Sequence, residues 1–215
     1  MYLMNKNKNK NYSQRILAMA FALAAACFVT GAIADDVAEF AAPLKVEYER
    51  PPGVDFSQYD KLIVNDLDVD ETKIVPPPWT EGETFKWKIS ERNVGALQSE
   101  FHESMQDQIS GNGGYPIVSE HEEGSLELTV SIVSFMPYAQ RKDKVITKGS
   151  GEMQISAELR DGQNGQLLAI YEGPQEVGSD YNENTDFTRA TNLKKLFDSW
   201  GRRVRLALDE DHANN

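Results

Sequence analysis

Apolar and polar residues alternate along the middle of the chain, in the two-residue period of half-buried β-strands. The runs 125–136 and 151–160 carry apolar side chains at alternate positions over most of their length. Residues 161–165, with the sequence DGQNG, have the composition of a tight turn into a return strand at 166–172. This part of the chain therefore predicts neighbouring antiparallel strands.

Two further segments, 61–69 and 115–119, are rich in β-forming residues and bring the predicted total to about five strands. The segment 61–69 begins apolar on both faces, which favours a central position in the sheet.

Two other segments have the helical period of three or four residues. In residues 91–110 the apolar positions share one face, with Ser90 as a candidate N-cap and Gly111 as a candidate C-terminal stop. Residues 191–208 present a second apolar face that includes Trp200. The element order predicts an α+β fold, with a mostly antiparallel sheet of about five strands and two helices packed on one face.

The first 34 residues have the organisation of a cleavable secretory signal. A basic start leads into an apolar run that ends in Ala32-Ile33-Ala34. We therefore expect an exported protein, located in the periplasm, associated with the outer membrane, or secreted. A retained membrane anchor is one alternative. Lipidation of Cys27 is another, because the three alanines before it form a weak lipobox.

The remainder of the chain predicts one domain. Residues 35–55 contain three prolines and predict an extended lead segment with one short strand near 44–48. Residues 56–210 predict a single α+β domain, and residues 211–215 a disordered tail.

Charge and cysteine content exclude several functions. The chain has 22 basic and 34 acidic residues, net −12; without the four basic residues of the signal it has 18 against 34, net −16. Such an acidic chain lacks the basic surface that nucleic-acid binding requires. Cys27 is the only cysteine, so cleavage after Ala34 would exclude disulfides, cysteine-bound zinc and thiol catalysis.

Patterns typical of metal or catalytic sites are weak. His102-Glu103 begins like a zinc-protease motif but lacks the second histidine, and no Gly-x-Ser-x-Gly elbow is present. Asp66, Asp68 and Asp70 alternate and would share one face of an extended chain, which makes them weak calcium candidates. We expect no catalytic residues, no metal and no cofactor.

Two loops are better candidates for partner binding. Trp79, Phe85 and Trp87 cluster beside three prolines, and such rigid aromatic loops suit recognition of a peptide, glycan or protein. A basic loop, containing Arg141, Lys142 and Lys144, is unusual in so acidic a chain. The alternatives are that the rings close one end of the core and that the basic loop is only solvated.

The chain also resembles a bacterial family known as domain of unknown function 3313, whose members are mostly envelope lipoproteins. Residues 56–64 (FSQYDKLIV) resemble the family's first strand entry, residues 151–169 its hairpin, and the Trp200 helix its closing element. The resemblance covers roughly residues 50–210 and implies no catalytic residues. The chain departs from the family in its poor lipobox.

These observations predict an exported cell-envelope protein, most simply a non-catalytic binding or scaffolding module for an envelope protein or surface component. An extracytoplasmic hydrolase with a dispersed site is one alternative. A carrier of a small apolar ligand, held between sheet and helices, is another. We expect membrane contact only if Cys27 is lipidated.

Overall fold

The described part of the chain forms three strands, a long helix, five more strands and a second long helix, in that order. The computed structural model describes residues 41–80 and 87–214, so the predicted signal 1–34, with Cys27, and Phe85 lie outside the described residues. The helices are α1 (Glu91–Met105) and α2 (Asp186–Ala213). The strands are β1 (Lys45–Glu49), β2 (Lys61–Val64), β3 (Lys73–Ile74), β4 (Ser125–Pro137), β5 (Ile146–Lys148), β6 (Gly151–Asp161), β7 (Leu167–Glu176) and β8 (Tyr181–Glu183).

Six strands form the main sheet, in the order β1-β7-β6-β4-β2, with β3 also paired to β4. The pairs β1–β7, β7–β6 and β6–β4 are antiparallel, whereas β2 and β3 each run parallel to β4. Strands β5 and β8 make a separate two-stranded sheet. The predicted α+β class with a mostly antiparallel sheet is confirmed, with six strands in place of about five.

The alternating pattern of β4 and β6 places one face of the sheet in the core. Leu128 and Val130 of β4 are buried, as is Ile155 of β6, while the intervening polar residues are partly exposed. Phe101 of α1 and Phe197 of α2 pack into the same core. The two helices therefore cover one face of the sheet, as the apolar periodicity predicts.

The predicted strand 61–69 is shorter and lies nearer the edge than expected. Strand β2 ends at Val64, and the side-chain amide of Asn65 then donates 2.8 Å hydrogen bonds to Glu127 and Thr129 of β4. On its other side, Leu62 exchanges backbone hydrogen bonds of 2.9 and 2.8 Å with the segment around Ile117. This pairing covers the outer edge of β2, and the predicted strand 115–119 is reduced to a single bridge.

Both helices begin at side-chain caps. Ser90 forms a reciprocal capping box with Asn93 at the start of α1, as predicted. Helix α2 starts five residues earlier than predicted, because the Thr185 hydroxyl accepts a 3.0 Å hydrogen bond from the backbone N–H of Thr188. It also continues to Ala213, so residues 211–213 are helical and the expectation of a disordered tail is wrong there.

The ring of Phe197 meets that of Phe101 between the two helices, and we expect this contact to contribute strongly to the stability of the core. Replacing the fully buried Phe197 with alanine should lower the free energy of unfolding by about 3–5 kcal/mol, because transfer and cavity costs add. Phe187→Ala is the matched control on the same helix, since Phe187 is exposed and its loss should cost no more than about 0.5 kcal/mol. Urea denaturation measures both changes, and equal losses would contradict this packing.

Candidate functional site

Two cavities lie on the covered face of the sheet, and the contact between Phe101 and Phe197 lies between their lining residues along both helices. Their rings meet edge to face, with centroids 5.6 Å apart, and both residues are fully buried. On one side lies an apolar cavity of about 160 Å³ beneath the C-terminal half of α2, called here the inner cavity. On the other side lies a cleft of about 600 Å³ beside the N-terminal ends of α1 and α2, called here the helix-end cleft.

The helix-end cleft has an apolar floor and a polar mouth. Its floor is built from both helices and from β4 and β6, and includes Leu97, Ile132, Phe135, Met153 and Leu193. Polar side chains from three separate parts of the chain converge at its mouth: Arg92, Asn93, Arg141, Asp186 and Arg189. An apolar cleft with a few convergent polar groups is the usual form of a ligand site.

Arg141 joins the two helix ends. Its guanidinium donates one 3.1 Å hydrogen bond to the Asn93 amide oxygen of α1 and another of 3.1 Å to the Asp186 carboxylate of α2. The same carboxylate oxygen accepts a 2.5 Å hydrogen bond from Arg189, which also donates to Asn184. Arg189 chiefly, and Arg141 in addition, lower the pKa of Asp186, so this carboxylate stays ionised at neutral pH.

The described lining residues of the cleft have a small net positive charge, although the protein as a whole is acidic. It contains three arginines against the carboxylates of Asp186 and Glu100. Glu100 is also paired with Lys194, at 3.6 Å. Both helices begin here, so their partial positive charges add to that of the arginines. The mouth of the cleft therefore favours an anionic group.

Two separately predicted candidates meet at this cleft. Trp87 lies half-buried in its wall, edge to face with Phe135 at 5.2 Å, and its indole N–H donates to the Ala139 carbonyl at 3.2 Å. Arg141, from the predicted basic loop, lies at its mouth. The end of β4 thus brings part of the aromatic loop and part of the basic loop together.

Three other partner-binding candidates among the described residues, Trp79, Lys142 and Lys144, lie outside the cleft. Trp79 packs on Tyr138 with ring centroids 5.8 Å apart and remains 64% exposed. Lys142 and Lys144 are exposed and do not line the cleft.

Two of the three aspartates proposed as weak metal ligands bind different partners. Asp66 pairs with His102 of α1 at 2.7 Å, whereas Asp68 accepts hydrogen bonds from Ser131 of β4 and from the backbone N–H of Asp70, both at 3.1 Å. The chain between β2 and β3 is not a regular strand, which removes the geometry that would align the carboxylates. Over residues 41–80 and 87–214, no three acidic, histidine or cysteine side chains are placed to hold a metal ion.

The inner cavity is lined almost entirely by apolar side chains of the sheet and α2, such as Leu128, Ile155 and Leu208. Its main buried polar residue is Gln175, which is fully hydrogen-bonded: the amide nitrogen donates to the Ala42 carbonyl at 2.9 Å, and the amide oxygen accepts from the Trp200 indole at 3.0 Å. These bonds leave the cavity wall without an unsatisfied group at this position.

The rim of the inner cavity is ionisable and partly desolvated. Burial, followed by the charges of Glu49 and Asp211, raises the pKa of Tyr171 to about 12. Burial also raises the pKa of Asp211 and lowers that of Arg203, whose guanidinium donates to the Ala41 carbonyl. Tyr171 therefore remains a neutral phenol at physiological pH.

Sequence reasoning missed the α2 half of the cleft. Asp186 and Arg189 precede residue 191, where the predicted helix begins, so no face was assigned to them. The sequence Thr185-Asp186, a capping residue followed by an acid, is typical of a helix start and could have indicated this earlier beginning of α2. Asn93 was detectable as the third residue after the Ser90 cap.

The fold and cleft define an α+β protein with one helix-covered sheet and a ligand-sized cleft at the helix ends. The chain belongs to DUF3313, a family of proteins of unknown function, whose family model matches residues 46–204. This confirms the resemblance noted in the sequence. A search of the curated proteins finds no match to the chain. No helix in the described part of the chain has the length and apolarity to cross a membrane.

Similar solved structures are distant. Protein XCC0632 from Xanthomonas campestris, of family DUF330, is 11% identical, with a TM-score of 0.43 over 78% of this chain and 94% of its own. The PelC dodecamer from Paraburkholderia phytofirmans is 11% identical, with a TM-score of 0.36 over 69% of this chain and 89% of its own. At such scores neither likeness is evidence of shared activity.

The ion pairs at the cleft mouth should be measurable by titration. We expect Arg189→Met to raise the pKa of Asp186 toward the ordinary carboxyl value, because the largest cause of its lowering is removed. In the intact protein these pairs stabilise the fold above the ordinary carboxyl pKa and are lost as the pH falls through the lowered value. Carbon-detected NMR of the Asp186 carboxyl group measures the change. Lys194→Met is the control and should leave this pKa in place; a response equal to that of Arg189→Met would contradict the assignment.

Proposed function

We propose that this protein is an exported, non-catalytic binding module of the cell envelope, and that its helix-end cleft holds a ligand with an apolar body and an anionic group. The observation that carries the proposal is the form of the cleft. Its volume of about 600 Å³ falls within the range of about 300–1,000 Å³ typical of small-molecule sites. Its apolar floor and convergent arginines match the two parts of such a ligand.

The anionic group would bind at Arg141. A guanidinium has five N–H donors in a planar fork suited to carboxylates, sulfonates and phosphates. Two directions are occupied by Asn93 and Asp186, which hold the group in place and leave further donors for a ligand. Arg92, on the first turn of α1, adds a second cation at the mouth.

The apolar body would lie on the cleft floor against Trp87. The indole ring is fixed by its contact with Phe135 and by its hydrogen bond to Ala139, so little side-chain freedom is lost on binding. A pre-positioned aromatic wall contributes both contact area and orientation.

A binding role fits the described lining better than hydrolysis does. The lining contains serines but no histidine, cysteine or lysine that could activate a nucleophile, and its two carboxylates, Asp186 and Glu100, are paired with arginines and with Lys194. The Ser150 hydroxyl accepts a buried 2.8 Å hydrogen bond from Asn192, and the Ser90 hydroxyl belongs to the α1 cap. Both hydroxyls therefore have structural partners.

The inner cavity supports a second candidate function, the carriage of a small apolar molecule. Its volume of about 160 Å³ is close to the roughly 150 Å³ of an apolar void that binds benzene in another protein. It would accept one ring or a short alkyl segment, whereas a whole lipid would not fit.

One pair of alanines on α2 distinguishes the two sites. Ala190 lines the helix-end cleft and Ala207 lines the inner cavity, and neither is fully buried. With the fluorescent anion anilinonaphthalene sulfonate as the probe, we expect saturable binding that Ala190→Trp weakens at least about tenfold by filling the cleft. Ala207→Trp is the matched control and should leave the affinity unchanged. Arg141→Met should cost about 1.5–3 kcal/mol of binding, the range for a lost charge-assisted hydrogen bond.

Fluorescence titration with the sulfonate and with uncharged anilinonaphthalene separates the contributions. The Arg141→Met loss should disappear with the uncharged probe. Loss of binding in Ala207→Trp but not in Ala190→Trp, or absence of saturable binding in all forms, would reject the cleft as the binding site. Carriage in the inner cavity is tested with benzene, which fits its volume; Ala207→Trp should abolish benzene binding, and absence of benzene binding in the parent would reject carriage.

Export has a direct test at the N-terminus. Residues 1–34 support cleavage after Ala34, because small residues stand at the two positions that a signal peptidase reads. We therefore expect intact-mass analysis of protein from the envelope fraction to show a chain beginning at Asp35. A chain beginning at an acylated Cys27 would replace release with tethering, and a chain that keeps Met1 in the cytoplasmic fraction would contradict export.

A further inference from the structure

Three of the four most exposed large apolar side chains belong to β5, β8 and the first turn of α2. Among the described residues, four such side chains are more than half exposed: Trp79 at 64%, Ile146 at 68%, Tyr181 at 76% and Phe187 at 81%. The next, Leu206, is 48% exposed. Scattered apolar residues on a surface are ordinary, but a concentration of them indicates an interaction site.

Ile146 and Tyr181 share one face of the small sheet. Strand β5 pairs with β8 in the register Ile146 to Glu183 and Lys148 to Tyr181. Directly opposed residues in an antiparallel pair point to the same side, as do residues two apart on one strand. All four side chains therefore lie on the same face, and all four residues are exposed.

The loop before β5 is fixed to the segment after β8. The Asn184 side chain donates to the carbonyls of Gln140 and Asp143 at 2.8 and 2.9 Å, and Arg141 pairs with Asp186 at 3.1 Å. Phe187 follows directly in the first turn of α2. Residues 140–148 and 180–187 are thus joined into one unit, called here the tip.

The tip has four exposed cations: Arg141, which is paired with Asp186, and three lysines. Lys142, Lys144 and Lys148 are exposed, whereas two of its carboxylates are engaged locally, Asp143 by the Gln140 N–H at 3.0 Å and Asp186 by arginines. The remaining acids of the tip are Asp180 and Glu183. Over the two tip segments basic and acidic residues balance, in a chain whose net charge is −12.

This composition favours a membrane over a protein as the partner. Lysine is depleted in protein–protein interfaces. Lysines interspersed with exposed aromatic and aliphatic side chains instead anchor proteins to anionic lipid, with the rings among the headgroups and the ammonium groups near the phosphates. We propose that the tip docks on the surface of an anionic phospholipid bilayer.

An anionic surface repels the acidic parts of the molecule, so the tip, in which basic and acidic residues balance, can approach it more closely than those parts can. In contrast to the expectation from the sequence, the contact does not depend on acylation of Cys27. Arg141 and Asp186 of the tip also lie at the mouth of the helix-end cleft, whereas Lys142, Lys144, Tyr181 and Phe187 do not line it. Variants of these four residues therefore test the contact separately from the ligand proposed above.

Vesicle sedimentation tests the proposal in the full chain carrying Cys27→Ser, so that no acyl chain contributes. We expect binding to phosphatidylcholine vesicles that contain phosphatidylglycerol, and weaker binding to pure phosphatidylcholine. Tyr181→Ser with Phe187→Ser should reduce the partition coefficient about tenfold. Lys142→Gln with Lys144→Gln should reduce it by a similar factor, and added salt should remove this second effect.

Matched controls replace residues elsewhere on the surface. Val133→Ser with Leu206→Ser removes two exposed apolar side chains, and Lys45→Gln with Lys73→Gln removes two exposed lysines. Both pairs should bind vesicles like the parent. Equal losses in tip and control variants would overturn the proposal, as would an absence of vesicle binding by the parent. A tip variant that changes the oligomeric state in solution but not vesicle binding would overturn it in favour of contact between copies of the chain.

Discussion

The edge-to-face contact between Phe101 and Phe197 is the interaction on which the arrangement of this molecule depends. It joins the two helices over the sheet, and Trp200 extends it with a ring centroid 5.2 Å from that of Phe197. Along both helices the pair lies between the residues that line the helix-end cleft, such as Leu97 and Leu193, and those that line the inner cavity, such as Met105 and Trp200. The contact thus supports the fold at a position between two environments of different chemistry.

The sequence contains most of this fold because burial imposes a period on each element. Strand β6 alternates Met153, Ile155 and Ala157 with polar residues, and the helices place Phe101 and Phe197 on their apolar faces. The period does not report which strands are neighbours. The apolar character of β2 indicated a central strand, whereas Leu62 is covered by an irregular segment through a single bridge at Ile117.

The candidate site was only partly predictable, because its polar groups are brought together by tertiary contacts. Trp87 and Arg141 were noticed as unusual residues of two loops, but their common cleft depends on how far β4 extends beyond the core. Asp186 and Arg189 precede the apolar periodicity of α2, so their helical position rests on the Thr185 cap alone. A pattern that records burial contains little information about a network built on exposed helix ends.

The attachment of the lead segment limits how an acylated form of the protein could sit on a membrane. Ala41 is buried and its carbonyl is held by Arg203, at the end of the molecule that contains the inner cavity. Ala41 is 14 positions after Cys27, a separation of at most about 49 Å in a fully extended chain. Helix α2, with 28 residues, is about 42 Å long and leads from that end to the tip. The maximum separation of Cys27 and Ala41 exceeds the length of α2. Acylation of Cys27 is therefore geometrically compatible with docking of the tip on the same bilayer.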